Sequence, residues 1–256
     1  MIKYDALVVD IDGVVWIDGE PIRENIEALS RIAETGVEVL LLTNNSTRSR
    51  RAYSRRLSSI GLHIGPDRVV NSGYSASLWL LEKRGPAKVL AVGEEGLVEE
   101  LMLQGHEPLN PGDYEYAEAV VVGLDRGLSY RKLEAAAWAI RRGALFIATN
   151  RDNAYPTPGG LSPGAGSIVS LLETATGRSV DIDAGKPSPW ILEAALKLLG
   201  RKPERLAIIG DRVDTDMELA RRAGVDGILV MTGVAASRGD KVPKWVKTVR
   251  TLKDLL

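Results

Sequence analysis

Short runs rich in Val, Leu and Ile alternate along this chain with stretches whose apolar residues recur at helical spacing, and that alternation constrains the fold most. Ala6–Asp10, 37–43, Leu206–Gly210 and 227–231 read as strands, because a strand covered on both faces shows a continuous apolar run rather than alternation. Between them, Ile26, Leu29, Ile32 and Ala33 share one helical face, and Gly36 is placed to stop that helix. Tyr53, Leu57 and Ile60 repeat the pattern before Gly61, while Ser188-Pro189 opens a helix that Gly200 closes. Such alternation predicts a parallel sheet with helices on both faces.

The middle of the chain reads as a second α/β block. Lys88–Val92, 119–123 and 145–149 are its predicted strands, with helices near 96–104 and 129–142. Gly85-Pro86 and Gly177-Arg178 mark its edges. The expected division is therefore a discontinuous core, 1–84 plus 180–256, interrupted by an inserted domain at 85–179. A chain of 256 residues, 45% of them apolar, has enough material for two such cores.

Composition removes several classes of function. With no cysteine, disulfide scaffolds, thiolate metal sites and cysteine nucleophiles are excluded. A formal net charge of -1 gives no whole-protein attraction to nucleic acid or to anionic lipid. The start of the chain lacks a signal-peptide pattern, and no apolar run approaches the roughly 18 residues of a membrane helix. The expectation is a soluble, cytoplasmic protein.

Ligands of open parallel sheets bind beyond the carboxyl ends of the strands, so the residues that follow each predicted core strand carry the functional signal. Asp10, Asp12 and Gly13 follow the first, and Thr43, Asn44 and Asn45 in "LLTNNST" follow the second. "AGKPSP" places Lys186 just before a helix, and "AIIGDRVDTD" supplies Asp211, Asp214 and Asp216. Singly, each has an ordinary explanation as a turn, a loop or a helix cap. Together they form a set of hard oxygen donors and one cation, which suits Mg²⁺ and a phosphate. Two like charges 4 Å apart repel by about 4 kcal/mol at an effective dielectric of 20, so a phosphate dianion needs a metal to approach these acids.

"DIDGVVW", "LLTNNST", "GKPSP" and "GDRVDTD" resemble the four motifs of haloacid dehalogenase superfamily phosphatases. The resemblance is nearest to the nitrophenylphosphatase-like branch, with its nucleotide, phosphoglycolate and pyridoxal phosphatases. It implies a Rossmann-like core with an inserted α/β cap between the second and third motifs, where the long interval from Thr43 to Lys186 falls. It also implies Mg²⁺-dependent hydrolysis of small phosphate esters, aryl phosphates included. By the same resemblance, Asp10 is the nucleophile that forms an aspartyl-phosphate, and Asp12 is the general acid and base. Thr43 and the Asn44 and Asn45 region hold the phosphoryl oxygens, and Lys186 balances charge. The resemblance further places Mg²⁺ on Asp10, the Asp12 carbonyl and Asp211, with Asp216 behind them. In the stretch "ATNRDNAYPTPGG" it points to Asp152 as a contact on the substrate side. A homodimer through the cap is common in the branch, so the resemblance implies it as one expected partner, beside the small-molecule phosphate ester.

Other readings compete. A phosphotransferase would use the same intermediate. A dehalogenase needs neither Asp12 nor the third acidic motif, and a receiver domain is about half this length. A nucleic-acid-binding module could use the basic helix with Arg48, Arg50, Arg51, Arg55 and Arg56, although no aromatic residues interleave as single-strand binding requires. "GAGSIV" lacks the third glycine and the preceding strand of a dinucleotide site. His63 and His106 lie outside every motif and read as surface or loop residues.

Overall fold

The computed structural model describes residues 3–157, 159–234 and 241–256. Among them the chain forms two compact units. The first comprises Met1–Thr43, Tyr53–Val70 and Lys186–Leu256, and the second comprises Asn44–Ala52 and Asn71–Gly185.

In chain order the first part supplies β1 (Ala6–Asp10), a small hairpin of β2 (Trp16–Ile17) and β3 (Glu20–Pro21), α1 (Arg23–Glu34), β4 (Glu38–Thr43), α2 (Arg50–Ser59) and β5 (Val69–Asn71). The middle supplies α3 (Ser72–Arg84), β6 (Lys88–Val92), α4 (Glu95–Leu103), β7 (Glu107–Pro108), β8 (Ala119–Val122), α5 (Tyr130–Arg141) and β9 (Leu145–Ala148). It continues with β10 (Ala154–Thr157), β11 (Gly160–Pro163), α6 (Ala165–Thr176) and β12 (Ile182–Asp183). The last part gives α7 (Pro189–Leu199), β13 (Leu206–Gly210), α8 (Glu218–Ala223), β14 (Asp226–Val230) and β15 (Lys247–Val249).

The sheet of the first unit runs β15-β14-β13-β1-β4-β5, and every pair from β15 through β4 is parallel. All five residues of β1 and all five of β13 are buried, as continuous apolar runs require. From β1 the chain moves outward through β4 and β5, then returns to build β13, β14 and β15 on the other side. The direction of winding therefore reverses at β1, which makes its carboxyl end the topological switch point of the sheet. Asp10 is the last residue of that strand.

One face of the core is filled by Leu7, Val9, Leu41, Ile209, Ile228 and the inner sides of α1 and α2. On α1 the buried positions are Asn25, Ile26, Ala28, Leu29 and Ile32. Ala33, expected on that face, is exposed, and Ala28 takes its place. Asn25 occupies the same face because its side chain bonds the Val14 carbonyl and the Leu252 amide, both at 2.8 Å. Ser188 does precede α7, and Gly200 ends it in the left-handed region, but the Ser188 side chain makes no capping bond.

The second unit holds its own parallel sheet, in the order β12-β9-β8-β6-β7. Val120, Val122, Phe146 and Ala148 pack there with Ala136, Ile140, Val169 and Leu172 from α5 and α6. α3 groups with this unit, and so does β12. Both lie outside 85–179, because β12 pairs with β9 and α3 lies against α4. His106, expected at the surface, is buried: its Nδ1 accepts from the Ala87 amide at 3.2 Å and its Nε2 lies 2.9 Å from the Ser77 carbonyl. His63 is exposed as expected. No helix among the described residues is long and apolar enough to cross a membrane.

Candidate active site

β1 stops at Asp10, and the chain turns at once. Ile11 and Asp12 lead into Gly13, whose φ of 86° lies in the left-handed region. A side chain at Gly13 would be strained, and its Cβ would also collide with the Asp211 carboxylate. This turn, closed by a bond from the Gly13 amide to the Trp16 carbonyl at 2.8 Å, gives the two aspartates different surroundings. Asp10 is buried, whereas Asp12 is exposed.

Asp10, Lys186, Asp211 and Asp216 form a buried cluster within the first unit. Lys186 Nζ lies 2.8 Å from Asp10 Oδ1 and 2.7 Å from Asp216 Oδ1, and all three side chains are at least nine-tenths buried. The Ile11 amide also donates to Asp10 Oδ1, at 2.8 Å. Asp216 Oδ2 accepts from the Arg212 amide at 3.1 Å. Asp211 Oδ2 accepts from the Val234 amide at 2.6 Å. Its Oδ1 is buried with no hydrogen-bond partner among the described residues. Asp214, from the same motif, instead pairs with its neighbour Arg212.

The electrostatics follow from that crowding. Burial, and then the Asp216 charge, pushes the Asp10 carboxyl well above its ordinary range, against the pull of Lys186. Asp211 is pushed up to about 6, first by burial and then by Asp216. Burial alone would lower the Lys186 ammonium, but Asp10 and Asp216 more than offset it and hold the lysine above its usual value.

One oxygen from each of Asp10, Asp211 and Asp216 can be chosen so that all three lie within 4.8 Å. A hard cation fits here. The donors are carboxylates, one of their oxygens is buried without a donor among the described residues, and burial followed by the Asp216 charge raises both Asp10 and Asp211.

Asp12 is held apart from this cluster. Trp16 Nε1 donates to its Oδ1 at 2.8 Å, and Thr43 Oγ1, from the end of β4, donates to its Oδ2 at 3.0 Å. The structure thus brings Asp10, Asp12, Thr43, Lys186, Asp211 and Asp216 together on the carboxyl edge of one sheet. Asn44, Asn45 and Asp152 belong to the second unit. There Asp152 Oδ2 accepts from Asn44 Nδ2 at 3.0 Å, and Asn45 Oδ1 accepts from the Thr47 amide and hydroxyl. The Asn44 carbonyl takes two side-chain donors, Ser72 Oγ at 2.5 Å and Asn150 Nδ2 at 2.8 Å.

Comparison with known proteins decides the family. The model of the haloacid dehalogenase-like hydrolases matches residues 7–107, and a HAD-hydrolase-like model matches 183–255. A 5'-nucleotidase of Bacillus subtilis is 35% identical over 91% of this chain and 90% of its own. This chain belongs to the haloacid dehalogenase-like hydrolases. The p-nitrophenyl phosphatase from Archaeoglobus fulgidus superposes with a TM-score of 0.90 at 36% identity, over 98% of each chain. A glycerol phosphate phosphatase from Mycobacterium tuberculosis, solved in complex with magnesium, gives 0.88 at 34% identity, over 99% of this chain and 77% of that one. The protein is accordingly an enzyme of the phosphatase type.

Sequence reasoning missed Trp16, which stands inside the quoted motif yet received no role. Its position four residues after Asp12, across a glycine turn, was the available signal. It also missed Glu100, fully buried in α4, which accepts from the Arg50 amide at 2.6 Å and from Arg50 Nε at 3.0 Å. Two of the five arginines of the basic stretch are thereby committed inside the molecule, since Arg56 stacks on Trp16 and donates to the Gly19 carbonyl.

Proposed function

We propose that this enzyme hydrolyses small phosphate monoesters, with aryl phosphates such as nitrophenyl phosphate among its substrates, through a phosphoryl-Asp10 intermediate and with Mg²⁺ as cofactor. One observation carries the reading: two aspartates two residues apart stand in opposite environments. Asp10 is buried against Lys186, and Asp12 is exposed between two neutral donors. Carboxyl groups whose surroundings differ in this way take different chemical roles.

In the first half-reaction an oxygen of Asp10 bonds to phosphorus as the ester P–O bond breaks. Asp12 gives its proton to the departing oxygen. In the second half, Asp12 takes a proton from water as the water attacks phosphorus. Inorganic phosphate leaves and Asp10 is again a carboxylate. Thr43 and the amides of Asn44 and Asn45 hold the phosphoryl oxygens, and Lys186 offsets their charge while keeping Asp10 oriented. Asp10, Asp211 and the Asp12 carbonyl would hold Mg²⁺, with Asp216 acting on Lys186 behind them. The ion would supply the positive charge that lets a dianion approach and keeps Asp10 ionised. The raised pKa of Asp10 and of Asp211 supports that need.

The inserted segment, 85–179 by sequence, supplies selectivity in this reading, because the core residues address only the phosphoryl group that all substrates share. Asp10→Asn tests the scheme. Turnover of nitrophenyl phosphate should fall by at least about 10³-fold, and acid quenching with a phosphorus-labelled ester should label the wild type but not the variant. Wild-type rates in Asp10→Asn, or full activity after exhaustive EDTA treatment, would overturn it.

A further inference from the structure

Trp16 is 3% exposed, and its ring is held by two contacts. Tyr53 stacks parallel to it, with ring centroids 6.2 Å apart and planes within 6°. The Arg56 guanidinium lies 4.2 Å from the ring centroid and is itself tied to the Gly19 carbonyl at 3.2 Å. A cation over an indole face is the favoured arrangement of this kind. The ring so held points its one polar atom, Nε1, at Asp12 Oδ1.

An indole N–H can only donate, whereas a hydroxyl can donate or accept. Oδ1 is therefore favoured as the accepting, carbonyl-like oxygen of Asp12 when the carboxyl is protonated. Oδ2 faces Thr43 Oγ1, which can turn to accept from a protonated carboxyl. We propose that Trp16 is a positioning residue for Asp12. By holding Oδ1 it leaves Oδ2 as the oxygen that carries the transferred proton, and it fixes the direction in which that proton is delivered. During phosphorylation of Asp10 the proton passes from Oδ2 to the leaving oxygen as the ester bond breaks. During hydrolysis Oδ2 receives one proton from the attacking water.

The inference rests on Asp12 acting as the acid, and its test separates the two claims. Trp16→Phe keeps an aromatic ring within reach of Tyr53 and Arg56 and removes the donor, with some loss of buried volume that should affect both esters alike. The readout is kcat/KM, which reports the phosphorylation step, on glycerol phosphate and on nitrophenyl phosphate in parallel. An alkoxide needs the proton far more than nitrophenolate does. Since a positioned acid contributes about 10²- to 10⁴-fold, loss of its orientation should lower kcat/KM by about tenfold on the alkyl ester. The aryl ester should lose less than about threefold. Arg56→Gln, which leaves the N–H in place but frees the ring, should show the same split to a smaller degree. If Asp12→Asn shows the split and both other variants scale the two esters equally, the role of Trp16 is refuted while the acid stands. If Asp12→Asn itself scales both esters equally, the assignment of the acid fails first. Unchanged rates in Trp16→Phe also overturn the proposal.

Discussion

Lys186→Met removes the only ammonium in the acidic cluster while keeping an unbranched side chain of similar reach. Its contacts to Asp10 and Asp216 are 2.8 and 2.7 Å. At an effective dielectric of 20, each is an attraction of about 6 kcal/mol. The variant also avoids burying the ammonium, which returns several kcal/mol. The net cost should be that of stranding buried carboxylates, about 3–5 kcal/mol at neutral pH. That cost depends on pH, because the stranded groups can protonate.

Asp10 already sits above its ordinary range, with burial and then Asp216 raising it and Lys186 opposing. Without the lysine it rises further. A carboxyl whose folded pKa exceeds its unfolded value contributes stability below the unfolded value, near 4, and loses it as pH rises through the folded one. The gap between wild type and variant should therefore be widest near pH 8 and should narrow by pH 5. Urea unfolding of both proteins in EDTA at the two pH values measures it, with matched m-values confirming the same transition. A loss under about 1 kcal/mol, or an equal loss at both pH values, would refute the argument that Lys186 is the counter-charge of this cluster.

Two further outcomes follow from the same geometry. Adding Mg²⁺ to EDTA-treated enzyme should raise its unfolding temperature at pH 7.5, and the increment should shrink below pH 6, because Asp211 titrates at about 6. Protonation of Asp211 by pH 5 should lower the apparent affinity by at least about tenfold, protonation of the buried Asp10 should lower it further, and Asp211→Asn should lose the increment at every pH. Asp152→Ala should change kcat/KM unequally among physiological esters if Asp152 meets the leaving group. A single common factor would mean that Asp152 does not discriminate among leaving groups.

The parts of the fold that could be read from sequence are those in which one physical demand acts alone. β1 and β13 coincide with their predicted spans because a strand buried on both faces reads as a continuous apolar run, and β6 coincides too, although Lys88 at its start is exposed. α3 was hidden because Ser72, Ser75 and Ser77 are buried among Tyr74, Ala76 and Leu80, so its buried residues form no clean apolar stripe. Those hydroxyls bond the carbonyls of Asn44, Ala184 and Tyr74, partners that local sequence cannot supply. β12 has two residues, too few for any periodicity, and the hairpin of β10 and β11 contains proline and glycine in its strands. Asp10, Thr43 and Asp211 were legible because the strand-end rule needs only the positions of strands, and Lys186 because a helix start follows it. Trp16 and Glu100 were not, since each matters through a partner that only a turn or a second helix brings near.

The charge on Asp10 sets function against stability within one residue. Burial, then the charge of Asp216, outweighs Lys186 and disfavours its ionised form, which is what a raised pKa means. Asp10→Asn keeps an acceptor for the Ile11 amide and for Lys186, and Lys186 retains Asp216. Only the disfavoured charge disappears. Without metal the inactive variant should thus be more stable than the wild type at pH 8, and the two should converge toward pH 4 as Asp10 takes up its proton. Saturating Mg²⁺ should reverse the order at pH 8, because the wild type then gains the more from binding. An Asp10→Asn protein less stable than wild type in EDTA at pH 8 would mean that the lysine contact outweighs burial and the neighbouring acids. The metal would then have no deficit of charge to fill.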